Sequence, residues 1–154
     1  MYFWRIELLK KQLIEQGITE SQLYSYILIY VALSAIGVEL MRYFPDESPN
    51  TWTYLGSIIN VAIPIFGTML IFRANGGVSG VQYAARYFSI GLVATIRFLV
   101  LLIPLMAVLM IYWSSSYDST DEIPSGATET VLFSTWYALL YAYIAKHVRE
   151  IAQA

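Results

Sequence analysis

The residues best suited to binding chemistry lie between Phe72 and Arg97, where the chain reads FRANGGVSGVQYAARYFSIGLVATIR, three arginines around a glycine-rich turn. Asn75, Gly76, Gly77 and Gly80 accept positive backbone dihedrals, and a helix opening over residues 78–82 would aim unpaired amides at an anion held by Arg73 or Arg86. A lipid phosphate is the ligand this suggests. The spacing is not a Walker loop, because no Gly-Lys-Ser/Thr follows, and not a dinucleotide fingerprint, because an apolar run of spanning length precedes it rather than a strand. Arg86 and Arg97 are eleven residues apart and share a helical face, a basic stripe turned toward lipid phosphates, a partner, or the preceding polar face. Lys146, His147 and Arg149 form a second basic cluster. Arg73, Asn75, Gly76, Gly77, Arg86, Arg97, Lys146 and Arg149 are therefore the candidate set for binding an anionic lipid or a partner. The plainer alternative is a tight cytoplasmic turn whose arginines serve only topology.

A second constellation is polar rather than basic. Gly56, Asn60, Pro64 and Thr68 recur at every fourth position, which puts them on one helical face. Asn60 can hydrogen-bond across helices, and Pro64 removes the amide that would pair with the Asn60 carbonyl, so a bend is expected there. With Glu39, an acidic residue inside an apolar run, these residues outline a possible polar path; helix packing and a local Glu39–Arg42 pair are the plainer readings.

Other chemistry is not encoded. There are no cysteines and only one histidine, which excludes disulfides, thiolate catalysis, cysteine-ligated zinc and iron–sulfur clusters. Hydrolysis within a membrane would need a serine with a base, paired aspartates or a histidine-rich zinc motif, and none has the required spacing. Neither a cofactor, a metal nor a nucleic-acid partner is expected, and the acidic stretch of residues 114–129 lacks the order of a calcium loop.

The elements that must position these residues are membrane spans. The 154 residues are 58% hydrophobic and 13% charged, too apolar for a soluble domain of this size. The expected fold is all-α, a single polytopic domain of four transmembrane helices at about 23–44, 52–72, 90–113 and 130–146. An amphipathic helix over residues 1–17 precedes them, with Ile6, Leu9 and Leu13 on its apolar face at a leaflet or on a partner. Gly17 stops that helix, and Thr19 to Gln22 has the capping-box pattern that starts the next near Glu20. No cleavable signal peptide is expected, since Arg5, Glu7, Lys10 and Lys11 interrupt the apolar residues, and the first span serves as signal anchor. The third helix, from about Val81 to Trp113, is longer than a bilayer requires; Arg97, roughly 24 Å before Trp113, falls in the inner third of the core.

Lys and Arg gather at Arg5, Lys10, Lys11, Arg73, Arg86, Lys146 and Arg149, and acidic loops alternate with them. Both termini and the central turn are then cytoplasmic, in the inner membrane if the host is bacterial. Small residues on the second span, and Ser134, Ala138, Ala142 and Ala145 on the fourth, read as close-contact faces within one chain or between copies. The function expected is a non-enzymatic membrane subunit or scaffold with a basic cytoplasmic surface for lipid or a partner protein. The alternative is a small homo-oligomeric channel or transporter component with a polar path along the second span.

Overall fold

The structure, a computed structural model, describes residues 2–40, 49–116 and 126–154. The expected Arg42 partner of Glu39, most of the first acidic loop and residues 117–125 of the second lie outside them. All regular structure among the described residues is helical: α1 (Ile6–Glu15), α2 (Glu20–Leu40), α3 (Thr51–Ala74), a 3-10 turn (Gly77–Ser79), α4 (Tyr83–Ser116) and α5 (Ala127–Ala152).

Local chemistry explains where these helices start and stop. Gly17, at φ +70°, turns the chain after α1 in a left-handed conformation that costs glycine nothing. Thr19 and Gln22 then form the expected capping box: the Gln22 amide donates to Thr19 Oγ1 at 3.3 Å and the Thr19 amide to Gln22 Oε1 at 3.2 Å. A second box, not expected from the sequence, opens α3. The Trp52 and Thr53 amides donate to Asn50 Oδ1 at 2.8 and 3.1 Å, and the Asn50 amide donates back to Thr53 Oγ1 at 3.2 Å. Pro64 and Pro104 both sit inside helices that continue through them.

Three helices are long and apolar enough to cross a membrane: Glu20–Glu39, Thr51–Ala74 and Tyr83–Ser115. Helix α5 is not among them. At 26 residues it is long enough, but Thr130, Ser134, Thr135, Trp136, Tyr137, Tyr141 and Tyr143 dilute its hydropathy before Lys146.

The helices pack as two parallel pairs. Gly56 faces Thr130 and Gly67 faces Tyr141, so α3 and α5 run in the same direction in register, eleven residues to eleven. Tyr30 meets Phe88 edge-on at 5.8 Å, which sets α2 alongside α4. Phe98 packs on Trp136 and on Tyr143 and joins the pairs through α4 and α5. The fully buried core, which includes Leu9, Ile71, Ile90, Leu92, Val93 and Val148, is gathered at one end of the bundle, called the base here. The base carries α1, the α3–α4 turn and the end of α5. Away from it the helices present apolar side chains outward, as on α4 at Leu99, Leu101, Ile103, Val108 and Ile111.

Helix α1 closes the base. The residues expected to meet a leaflet, Ile6, Leu9 and Leu13, are buried against the bundle itself; the edge it leaves exposed carries Phe3, Trp4, Leu8 and Ile14. Lys10 ties it to α5 through Glu150 at 2.7 Å and also pairs with Glu7 at 2.8 Å. Burial pulls the Lys10 ammonium down, but the Glu150 and Glu7 carboxylates outweigh it and the net shift is upward. Glu150 is held below the usual carboxylate range, first by its hydrogen bond from Lys10. His147, 3.1 Å from the same carboxylate, is buried and pulled down chiefly by that burial.

Candidate functional site

The structure divides the basic residues of the sequence into three groups with different neighbours.

Arg86 is turned inward. Its Nη1 donates to Asn75 Oδ1 at 2.9 Å, and both side chains are buried. Asn75 Nδ2 donates in turn to the Val81 carbonyl at 3.2 Å, so the pair closes the α3–α4 turn from within. Gly76 (φ +98°) and Gly77 (φ +60°) supply the left-handed dihedrals the turn needs. Arg86 and Asn75 thus shape the turn and present nothing to solvent. Buried Arg86 Nε has no hydrogen-bond partner among the described residues.

Arg97 clamps the N-terminal segment. Its Nε donates to the Trp4 carbonyl at 3.0 Å, Nη2 donates to the same oxygen, and Nη1 donates to Tyr143 Oη at 2.8 Å. The guanidinium also lies 5.5 Å from the Trp4 ring centroid, within cation–π range. Nothing in the sequence announces Trp4 or Tyr143 as partners, because they lie 93 and 46 positions away. Replacing Arg97 with Gln removes these charge-assisted contacts. Amide exchange in α1 should quicken by about tenfold to a hundredfold, from the ~1.5–3 kcal/mol of hydrogen bonds to a charged group. Hydrogen exchange on the solubilised protein checks this, and unchanged protection of α1 would show that Arg97 does not hold it.

Arg73 and Arg149 remain. They come together at the base of the α3–α5 seam, where a pocket of about 300 Å³ is lined by Leu70, Arg73, Ala74, Gly76, Arg149 and Gln153. Both arginines are exposed, and among the described residues neither has an ion-pair partner. The parallel register of α3 and α5 is what brings them together: it pairs residues 74 positions apart, so Arg149, 76 after Arg73, lies within two residues, roughly 3 Å of rise, of the same depth. Lys146, one turn earlier on α5, is exposed and 4.0 Å from Glu150. Two arginines with no ion-pair partner among the described residues thus line one concavity, and phosphate is an anion whose oxygens match the guanidinium fork.

The residues of the possible polar path are not gathered into one place. Thr68 Oγ1 lies 3.4 Å from Tyr87 Oη, and Tyr83 Oη donates to the Thr68 carbonyl at 3.5 Å, so Thr68 faces the aromatic side chains of α4. Pro64 is half-buried one turn away, Asn60 lies on the exposed surface of α3, and Glu39 is exposed near the far end of α2. Helix α2 packs chiefly on α4 rather than α3. Among the described residues there is no cluster of three or more His, Asp or Glu side chains that could hold a metal ion. No protein-family model, curated protein or solved structure matches the chain.

Proposed function

We propose that this chain is a four-span, non-enzymatic membrane subunit whose base faces the cytoplasm and offers Arg73 and Arg149 to an anionic lipid headgroup or an acidic partner surface. One observation carries the reading: two arginines that have no carboxylate partner among the described residues share a single pocket. Helix α5 becomes the fourth span because it lies in register beside α3 from Gly56 and Thr130 down to Arg73 and Arg149. If α3 crosses the bilayer, α5 occupies the same depth, and its polar hydroxyls and rings face protein more than lipid. Arg5, Lys10, Lys11, Arg73, Lys146 and Arg149 all fall at the base, and among the described residues no Lys or Arg lies at the far end, an asymmetry that supports a cytoplasmic base. The exposed edge of α1, with Phe3 and Trp4, then rests at the inner leaflet.

The absence of cysteine permits a direct test of the topology. Cysteines introduced singly at Ser79 and Gln153 should react with a membrane-impermeant maleimide only from the cytoplasmic side, and one at Thr128 only from the other. Labelling of Gln153→Cys on the side opposite Ser79→Cys would leave three spans and remove the proposal. The pocket is tested by native mass spectrometry of protein released from bilayers of mixed phosphatidylglycerol and phosphatidylcholine. Retained lipid should be enriched in phosphatidylglycerol for the natural chain, and the Arg73→Gln/Arg149→Gln double variant should lose that enrichment.

A further inference from the structure

We infer that the ligand of this pocket is one anionic phospholipid seated along the α3–α5 seam, its phosphate between Arg73 and Arg149 and an acyl chain in the groove that continues from it. The inference rests on the pocket reading above and adds the chain-binding half of the site.

The groove is a second cavity, about 310 Å³, between α3 and α5. Ile59, Ala62, Phe66 and Leu70 line it from α3, and Ala138 and Ala142 from α5. Leu70 also lines the arginine pocket, so the two cavities meet there. The sequence positions show the same continuity. On α3 the lining runs 59, 62, 66, 70, 73, and on α5 it runs 138, 142, 149, 153, each advancing by threes, fours or sevens along one helical face. No charged residue interrupts the apolar part.

Its floor is set by Gly67. Lacking a Cβ, Gly67 lets the Tyr141 ring pack close against α3, where it lines the groove on one side and belongs to the core on the other. The two alanines of α5 are small and exposed, which keeps the groove open to the outside.

Length decides between occupants. From Leu70 to Ile59 is eleven residues, roughly 16 Å of helix, close to half of the ~30 Å hydrocarbon core and therefore to the depth of one leaflet. A single acyl chain hanging from a phosphate at the level of Arg73 fits that depth. An acidic peptide at the arginines would leave the apolar part of the groove uncovered. The larger apolar cavity toward the far end, lined by Leu105, Val131, Leu132, Trp136 and Leu139, has no cation among its described lining residues and serves as the internal control.

The test uses the full chain in bilayers containing phosphatidylglycerol with a photoactivatable group on one acyl chain. In the natural chain, cross-links should concentrate at Phe66, Ala138 and Ala142 over Leu105 and Leu139, an outcome that needs no variant. Ala142→Trp fills the groove from an exposed position and should lower retained phosphatidylglycerol about tenfold. If Ala142→Trp retains lipid as the natural chain does, or the cross-links spread evenly over the bundle, the groove inference is overturned while the arginine pocket stands. If Arg73→Gln/Arg149→Gln also retains lipid undiminished, the pocket reading fails with it. Displacement of the lipid by glycerol phosphate at equal concentration would identify a free phosphate ester as the ligand and likewise overturn the inference.

Discussion

Asn75→Leu should destabilise the protein by about 3 kcal/mol, near the upper end for a hydrogen bond to a charged group. The reason is the position of Arg86. Arg86 is buried, 9% exposed, and the bond from its Nη1 to Asn75 Oδ1 at 2.9 Å holds it from within the turn. Leucine keeps the branched outline of asparagine but offers no acceptor, so a charge held out of water loses its partner; the Asn75 bond to the Val81 carbonyl is lost as well. The damage should extend to the candidate site, because Gly76, the next residue, lines the arginine pocket. Thermal unfolding in detergent, read by circular dichroism, measures the loss. Adding Arg86→Met to Asn75→Leu removes the stranded charge and should restore a substantial part of the stability, whereas independent costs would simply sum. A single Asn75→Leu variant as stable as the natural chain would show that the buried pair does not hold the turn. Gly80 offers a parallel check: a Cβ there would run into the Asn75 carbonyl oxygen and lie 2.5 Å from Asn75 Nδ2, so Gly80→Ala should perturb the same turn.

The second large effect is expected at Gly67→Ala. A methyl group there would overlap the Tyr141 ring and approach Tyr141 Cβ to 2.8 Å. The overlap with the ring atoms Cδ1 and Cγ matters most, being closer than that with Cβ, and turning the ring about its own axis cannot move Cγ away. The helices must separate or Tyr141 must leave its rotamer, and either route costs about 1–3 kcal/mol, the usual range for overpacking. Tyr141 belongs to the core at the base and packs on Tyr137 at 5.3 Å, so the disturbance should pass along the seam to the register that brings Arg73 and Arg149 together. Gly67→Ala/Tyr141→Ala should be more stable than Tyr141→Ala and Gly67→Ala predict by addition, since truncating the tyrosine removes the obstacle. Gly56 provides the contrast. A Cβ there meets Thr130 only at an ordinary 3.5 Å, so Gly56→Ala should leave the unfolding temperature nearly unchanged. Equal sensitivity at the two glycines would refute the account of the seam.

These two positions also show how the sequence and the tertiary structure divide the information. The repeated apolar runs, the glycine-rich turn and the box formed by Thr19 and Gln22 are local patterns, so composition and spacing alone sufficed to read helices near their observed bounds and a turn at Asn75 to Gly80. Segregation of Lys and Arg is likewise visible in one dimension, and it yielded the topology proposed here. Helix α5 reads from the sequence as a fourth span at 130–146, but its tyrosines, threonines and tryptophan lower its hydropathy, and it is not among the three helices apolar enough to cross a membrane.

What each arginine does was beyond the reach of spacing. The sequence placed Arg73, Arg86, Arg97 and Arg149 in one binding set because they have the same chemistry. The fold gave Arg86 to Asn75 within the turn and Arg97 to Trp4 and Tyr143, and it brought only Arg73 and Arg149 into a shared pocket. Helical periodicity specifies which residues share a face of one helix, but not which helix that face meets or at what register. Those follow from the fit of Tyr141 against Gly67 and of Tyr30 beside Phe88, contacts between residues 74 and 58 positions apart that only packing in three dimensions selects.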